Sequence, residues 1–330
     1  MWINPYPNTV VPGSIPKIIL SSAMQMKEKD KATKKRAGFI TLLKLMVFVA
    51  VIWTLYFQLR NVDWEHAKGL DISHWWALVL AFLLLAPNLW MEFLKWKWIT
   101  KPLQVDSSLV TNAFWAGVAP GVMTPHGWGN FLGRLIYFQK RQTIYIIFST
   151  ALANLSQLIP TLVFGLFAVL LKYGNSNTLW LITSVGTVLI LLLYFFGDYL
   201  LPKKRSRVTF VRRLQSIRGR YQNLKWPFLA FSFIRFLVFS LQYALLFVAF
   251  GYEDFWFLLT QIWLVYLFTS FVPSLWSGKV LIRETAALFV FAGTVVSTPD
   301  VIVSSILIYL MNIALPAFMS SFIWLPKRKK

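Results

Sequence analysis

Residues 143–171 read TIYIIFSTALANLSQLIPTLVFGLFAVLL, 29 positions without a single charged side chain. A helix needs about 20 apolar residues to cross a hydrocarbon core of about 30 Å, so this run crosses with length left over for tilt. It is apolar on every face and does not alternate, which excludes the strands of an outer-membrane barrel. Working outward from it, comparable runs fall at about 38–59, 75–94, 178–201, 227–251, 255–271 and 301–325. Across all 330 residues 57% are hydrophobic and only 14% charged, against roughly 25% charged in soluble domains. A water-soluble globule is excluded. The expected fold is an all-α polytopic membrane protein with about eight membrane segments, some of them broken or re-entrant.

The formal net charge is +21, from 33 Lys plus Arg against 12 Asp plus Glu. Its placement matters more than its size. Basic residues crowd the segment Lys27 to Arg36, follow the second run as Lys95, Lys97 and Lys101, fill 203–225 with nine cations and no acid, and close the chain at 327–330. Acidic residues gather instead at Asp63, Glu65 and Asp71 and at Glu253 and Asp254. The positive-inside bias therefore puts both termini in the cytoplasm. Arg212, Arg213 and Arg220 are expected to rest on anionic headgroups. No basic domain stands apart to hold a duplex, so no nucleic acid partner is expected. The chain divides into a basic amino-terminal segment at 1–37, expected to be disordered, a transmembrane domain at 38–325 and a basic tail at 326–330. The natural start is expected at Met24 or Met26.

The chain has no cysteine and three scattered histidines, His66, His74 and His126. No metal site or cofactor is expected from them. No nucleotide-binding Gly-x-x-x-x-Gly-Lys-Ser/Thr loop is present either.

Two interrupted elements carry the functional reading. One is Thr124-Pro125-His126-Gly127-Trp128-Gly129-Asn130-Phe131-Leu132-Gly133-Arg134; the other is Val272-Pro273-Ser274-Leu275-Trp276-Ser277-Gly278-Lys279-Val280-Leu281-Ile282-Arg283. Each reads Pro, then Trp three residues later, then Gly, then Arg, a weak internal correspondence that suggests a repeat. Paired Gly/Pro interruptions point to a mid-membrane substrate site, because unwound backbone survives there only where protein or water satisfies it. The alternative is a pair of ordinary loops with interfacial tryptophans. The arginines favour a site: Arg283 and Glu284 are expected to open an apolar helix, and ionisable residues at membrane depth are costly and usually functional. A guanidinium bonds two phosphate oxygens at once, whereas Lys279 adds a point charge. The substrate-binding set is Arg134, Arg283, Glu284, Lys279, Arg235, Asn154, Pro125 and Pro273, with no catalytic residue assigned.

Other polar residues leave two readings each. Arg235 either serves the site or snorkels toward the cytoplasm. Glu92 and Lys95 are spaced for an interfacial pair on one helix face. Asn154, Gln157 and Pro160 either pack helices or line a cavity. Trp75, Trp76, Trp90, Trp96 and Trp98 read as aromatic belts.

The order of spans, the Lys95-Trp96-Lys97-Trp98 exit and the two Pro-to-Arg elements resemble the lysylphosphatidylglycerol synthase transmembrane region, a family of flippase-like integral membrane proteins. The resemblance covers about 38–325 and is to a stand-alone member without the synthase domain, so aminoacyl transfer is not expected. It implies lipid handling in a bacterial inner membrane. One departure is Asn130, where the family usually carries an acidic residue.

Together these readings predict a lipid or lipid-linked headgroup transporter. Its partner would be an anionic phospholipid or a polyprenyl-phosphate-linked lipid. Arg134 and Arg283 would meet to hold the phosphate. The alternatives are a non-transporting membrane subunit of a cell-envelope enzyme, or a membrane-embedded lipid transferase, which the dispersed acids disfavour. A homo-oligomer fits any of the three.

Overall fold

The computed structural model describes residues 71–123, 128–139, 142–174, 178–197, 209–271 and 278–323. Chain contacts divide the protein into Met1–Met46 and Val47–Lys330, and every described residue belongs to the second unit. Among the described residues there is no strand. The helices are α1 (Trp75–Leu83), α2 (Leu85–Thr100), α3 (Ser107–Met123), α4 (Trp128–Leu135), α5 (Thr143–Tyr173), α6 (Thr178–Phe196), α7 (Thr209–Ala249), α8 (Phe255–Phe271), α9 (Gly278–Phe291), α10 (Thr298–Tyr309) and α11 (Leu315–Ile323).

Among the described residues, five stretches are long and apolar enough to cross a membrane: Trp75–Leu103, Thr143–Tyr173, Thr178–Phe196, Gln222–Ala249 and Thr298–Ser320. The chain is a multi-pass helical membrane protein. The run expected at 38–59 lies outside the described residues, as do the terminal segments. The helix expected at 227–251 begins much earlier: α7 is one helix of 41 residues that passes through Pro227. At 1.5 Å per residue it is about 61 Å long, twice the hydrocarbon thickness, so its basic first third lies outside the apolar layer. Arg212, Arg213 and Arg220 therefore sit on a helical extension of the span.

Long-range hydrogen bonds set the directions. His74 N–H donates to the Ala249 carbonyl at 3.1 Å, Gln242 Nε2 to the Ala81 carbonyl at 2.9 Å and Arg235 Nε to Asn88 Oδ1 at 2.8 Å. Rising numbers on α1 and α2 thus meet falling numbers on α7, and the two rods are antiparallel. Lys97 and Lys101 share one end of the bundle with Lys225, while Asp71, Glu253 and Asp254 share the other. Helix α5 runs parallel to α7, with Ser156 and Ser232 hydroxyls 2.8 Å apart and Phe164 stacked on Phe236 at 5.2 Å. The Tyr194 hydroxyl, donating to the Lys225 carbonyl at 2.6 Å, brings the close of α6 back to the basic end. Helix α10 descends beside α7 through Tyr252 to Asp300 at 2.6 Å and Tyr243 to Ser305 at 2.5 Å.

Two further pairs are built from shorter helices. Helices α3 and α4 have 17 and 8 residues, about 26 and 12 Å by rise, each short of the core thickness. They pack face to face because glycines line the contact. A Cβ on Gly133 would stand 2.0 Å from the Ala116 carbonyl oxygen, and one on Gly121 1.8 Å from Asn130 Oδ1. Small residues spaced by four let membrane helices approach this closely. The α3 arm starts at the basic end, where Trp96 Nε1 donates to the Val110 carbonyl at 2.8 Å. Helix α9, with 14 residues, packs on α8 and reaches α7: Arg283 lies over the Tyr266 ring of α8 at 5.9 Å, and Phe291 meets Phe247 of α7 at 4.9 Å. That pair opens toward the acidic end. Arg283 is the sixth residue of α9 and does not open the helix, as the sequence reading has it, because the helical turn begins at Gly278.

Two main apolar cores result. The larger surrounds Phe247, Ile262, Leu264 and Ala287; the smaller surrounds Trp96, Phe114, Tyr145 and Phe228. Leu181, Ile182, Val185, Leu189 and Leu192 stay exposed along α6, as suits a face turned to lipid.

Candidate functional site

Beside the smaller core lies a cavity of about 290 Å³ lined by side chains of α2, α3, α4, α5, α7 and the segment joining α10 to α11. Its polar wall gathers side chains from several helices. Glu92 and Lys95 come from α2, Asn154 and Gln157 from α5, Arg235 from α7, Arg134 from the end of α4, and Asn312 from Leu310–Ala314. That last segment is a π-helical turn, a bulge that turns a side chain out of register and recurs at functional sites.

Glu92 is the hub. Its Oε2 pairs with Arg235 Nη1 at 2.7 Å, and its Oε1 with Arg134 Nη2 at 3.5 Å. From Arg235 the network continues outward: Nε donates to Asn88 Oδ1 at 2.8 Å, and Asn88 Nδ2 donates to Asn312 Oδ1. Five side chains from four elements are thereby joined through one carboxylate. Arg134 is 2% exposed, and its guanidinium stacks over Trp96 at 4.6 Å and Phe114 at 5.6 Å. Aromatic faces hold a cation while leaving its N–H edges free for an anion. Gly117 makes the room: a Cβ there would come within 2.8 Å of the Arg134 side chain. Lys95 donates to Gln157 Oε1 at 2.9 Å. Asn154 is exposed, so the cavity opens beside it.

Of the residues picked from the sequence, the structure brings Arg134, Arg235 and Asn154 to this one cavity. Arg283 and Glu284 do not line it; Arg235 stands across Glu92 from Arg134 in the place expected for Arg283. The reason is the start of α9 at Gly278, which carries Arg283 up against Tyr266. Pro125 and Pro273 lie outside the described residues, as does the Lys279 side chain. Arg235 does not snorkel: it lies 13 residues beyond Gln222, about 20 Å by rise, and turns inward to Glu92. Glu92 in turn forms its ion pairs with the two arginines and not with Lys95. Trp96 is fully buried and is no interfacial anchor, while Trp75, Trp76 and Trp90 are exposed. Asn88 and Asn312 escaped the sequence reading, although a lone amide in an apolar span is itself a signal.

The arrangement can hold an anion. It offers guanidinium and ammonium donors with one carboxylate already committed to two ion pairs, and among the described residues no second carboxylate lines it to share a proton. Among the described residues no three His, Asp or Glu side chains cluster as a metal site would need. Fold and cavity together define a multi-pass helical membrane protein with a cationic, partly enclosed chamber between its helices. Compared with family models, curated proteins and solved structures, the chain finds no match in any of the three.

Proposed function

We propose that the chamber binds the phosphate of an acidic membrane lipid, or of a lipid-linked phosphate, and that the protein carries this headgroup across the bilayer. The observation that carries the reading is the Arg134–Glu92–Arg235 clamp, with Glu92 and Arg235 near the middle of their apolar spans, in a cavity that opens beside Asn154. Buried cations without equal numbers of anions are costly in an apolar medium, and a bound phosphate offsets that cost. The resemblance to the lysylphosphatidylglycerol synthase transmembrane region points the same way.

In this proposal the basic end of the bundle faces the cytoplasm of a bacterial inner membrane, with both termini on that side. The full count is about eight membrane segments. The α3–α4 and α8–α9 pairs are inverted counterparts entering from opposite faces, which is the architecture that places substrate sites near the midplane in transporters. Their opposite directions and the Pro-Trp-Gly-Arg correspondence support the repeat.

The test is headgroup translocation in liposomes. Protein reconstituted with a fluorescent acidic phospholipid should expose inner-leaflet probe to an outside quencher, and Arg134→Gln and Arg235→Gln should each slow this at least tenfold. Unchanged rates in both variants, with intact folding, would remove the proposal in favour of a subunit that does not transport.

A further inference from the structure

The charges facing the chamber define its ligand more narrowly, on the reading of the site given above. Among the described residues three basic side chains, Arg134, Arg235 and Lys95, face one carboxylate, Glu92, which leaves two positive charges over whenever Lys95 holds its proton. They are not evenly satisfied. Arg235 holds Glu92 at 2.7 Å, whereas Arg134 reaches the same carboxylate only at 3.5 Å. Arg134 Nε is buried and has no hydrogen-bond partner among the described residues. Lys95, 3% exposed, gives its hydrogen bond to the neutral amide of Gln157. The two cations left over are therefore Arg134 and Lys95, and both are buried. A ligand of one negative charge would compensate Arg134 alone, and Lys95, away from water with only a neutral amide as partner, keeps its proton only when the ligand brings a second negative charge. Size points the same way. About 290 Å³ lies at the lower edge of the roughly 300–1,000 Å³ typical of small-molecule sites. A bare phosphate end fits there more readily than a phosphate with a large second substituent.

We infer that the chamber selects a phosphomonoester, a phosphate esterified once and carrying about −1.5 to −2 charge near neutral pH, over a phosphodiester, which carries one charge. Three free oxygens allow one to meet Lys95 while the other two take the fork of Arg134. A phosphodiester has only two free oxygens and cannot satisfy both cations in this way. The same chemistry is offered by a lipid with a terminal phosphate and by free inorganic phosphate.

Competition native mass spectrometry of the purified full chain separates these. The protein is offered phosphatidic acid and phosphatidylglycerol with identical acyl chains at equal concentration, with inorganic phosphate as a soluble rival. The expected result is an about tenfold preference for phosphatidic acid, equivalent to one decade in affinity. Lys95→Met leaves the Glu92 clamp in place and should bring the ratio near one while phosphatidylglycerol binding persists. Equal retention of both lipids by the wild type, with both lost in Arg134→Gln, overturns the phosphomonoester inference and leaves the acidic-lipid site standing. Binding of neither lipid beyond the level of Arg134→Gln, with inorganic phosphate also unbound, overturns both. Inorganic phosphate bound with the Lys95 dependence, and no lipid retained, upholds the phosphate chemistry and overturns the lipid reading.

Discussion

Glu92 Oε2 and Arg235 Nη1 meet at 2.7 Å across the α2–α7 contact, although 143 residues separate them in the chain. Each stands near the middle of an apolar span, where neither charge has another inexpensive position. The contact therefore serves two ends: it fixes the register of α2 against α7, and it holds a carboxylate in front of Arg134.

Breaking this pair one partner at a time should cost more than removing it whole. Arg235→Met alone is expected to destabilise the protein by about 3 kcal/mol, because Glu92 keeps its charge and loses its closer partner. Adding Glu92→Gln should recover much of the loss. Thermal unfolding in detergent across the four-member cycle reads a coupling of about 1–3 kcal/mol; a coupling near zero would show that the pair does not hold the helices together.

Glycines on different helices should respond with opposite sign. Gly133→Ala drives a Cβ to 2.0 Å from the Ala116 carbonyl, and backbone cannot yield as a flexible side chain does, so a loss of about 1–3 kcal/mol is expected from overpacking. A Cβ on Gly186 of α6 would meet nothing within 4 Å. Gly186→Ala should stabilise by up to about 1 kcal/mol through helix propensity. Unfolding of the two variants side by side checks both signs.

The directions of the helices are testable by labelling. With no native cysteine, single-cysteine variants need no background removal. Lys97→Cys at the basic end and Glu253→Cys at the acidic end should react with a membrane-impermeant maleimide from opposite sides of sealed vesicles. Reaction of both from one side would contradict the antiparallel pairing of α2 with α7.

At the acidic end Tyr252 donates to Asp300 at 2.6 Å and receives the Ser297 N–H at 2.8 Å, tying the α7–α8 turn to the start of α10. Tyr252→Phe should cost about 1 kcal/mol. Burial first, and then the hydrogen bond to Asp300, raises the Tyr252 hydroxyl above its ordinary value. A group whose folded value is raised contributes its stability below the unfolded value, about 10 for tyrosine, and loses it as pH climbs through the folded one. The difference between wild type and Tyr252→Phe should stay level below about pH 10 and shrink only beyond it. A difference that shrinks between about pH 6 and 9 would argue against this tie.

The residues themselves determined that the chain is helical and membrane-embedded, and where several spans lie. The 255–271 run and α8 coincide, and the 143–171 run differs from α5 by two residues, since an uncharged apolar stretch in lipid must satisfy its backbone within its own helix. That Arg134 needs a partner was legible for a related reason: a charge at that depth is expensive without one. What pairs with what was not legible. Asn88, Asn312 and Arg235 are each a single polar position in a long apolar run, and no local pattern says which of them will face another. Only the packing of α7 and of the Leu310–Ala314 turn against α2, set over the whole length of the helices, brings Arg235 and Asn312 to Asn88 and Glu92 and leaves Arg283 against Tyr266.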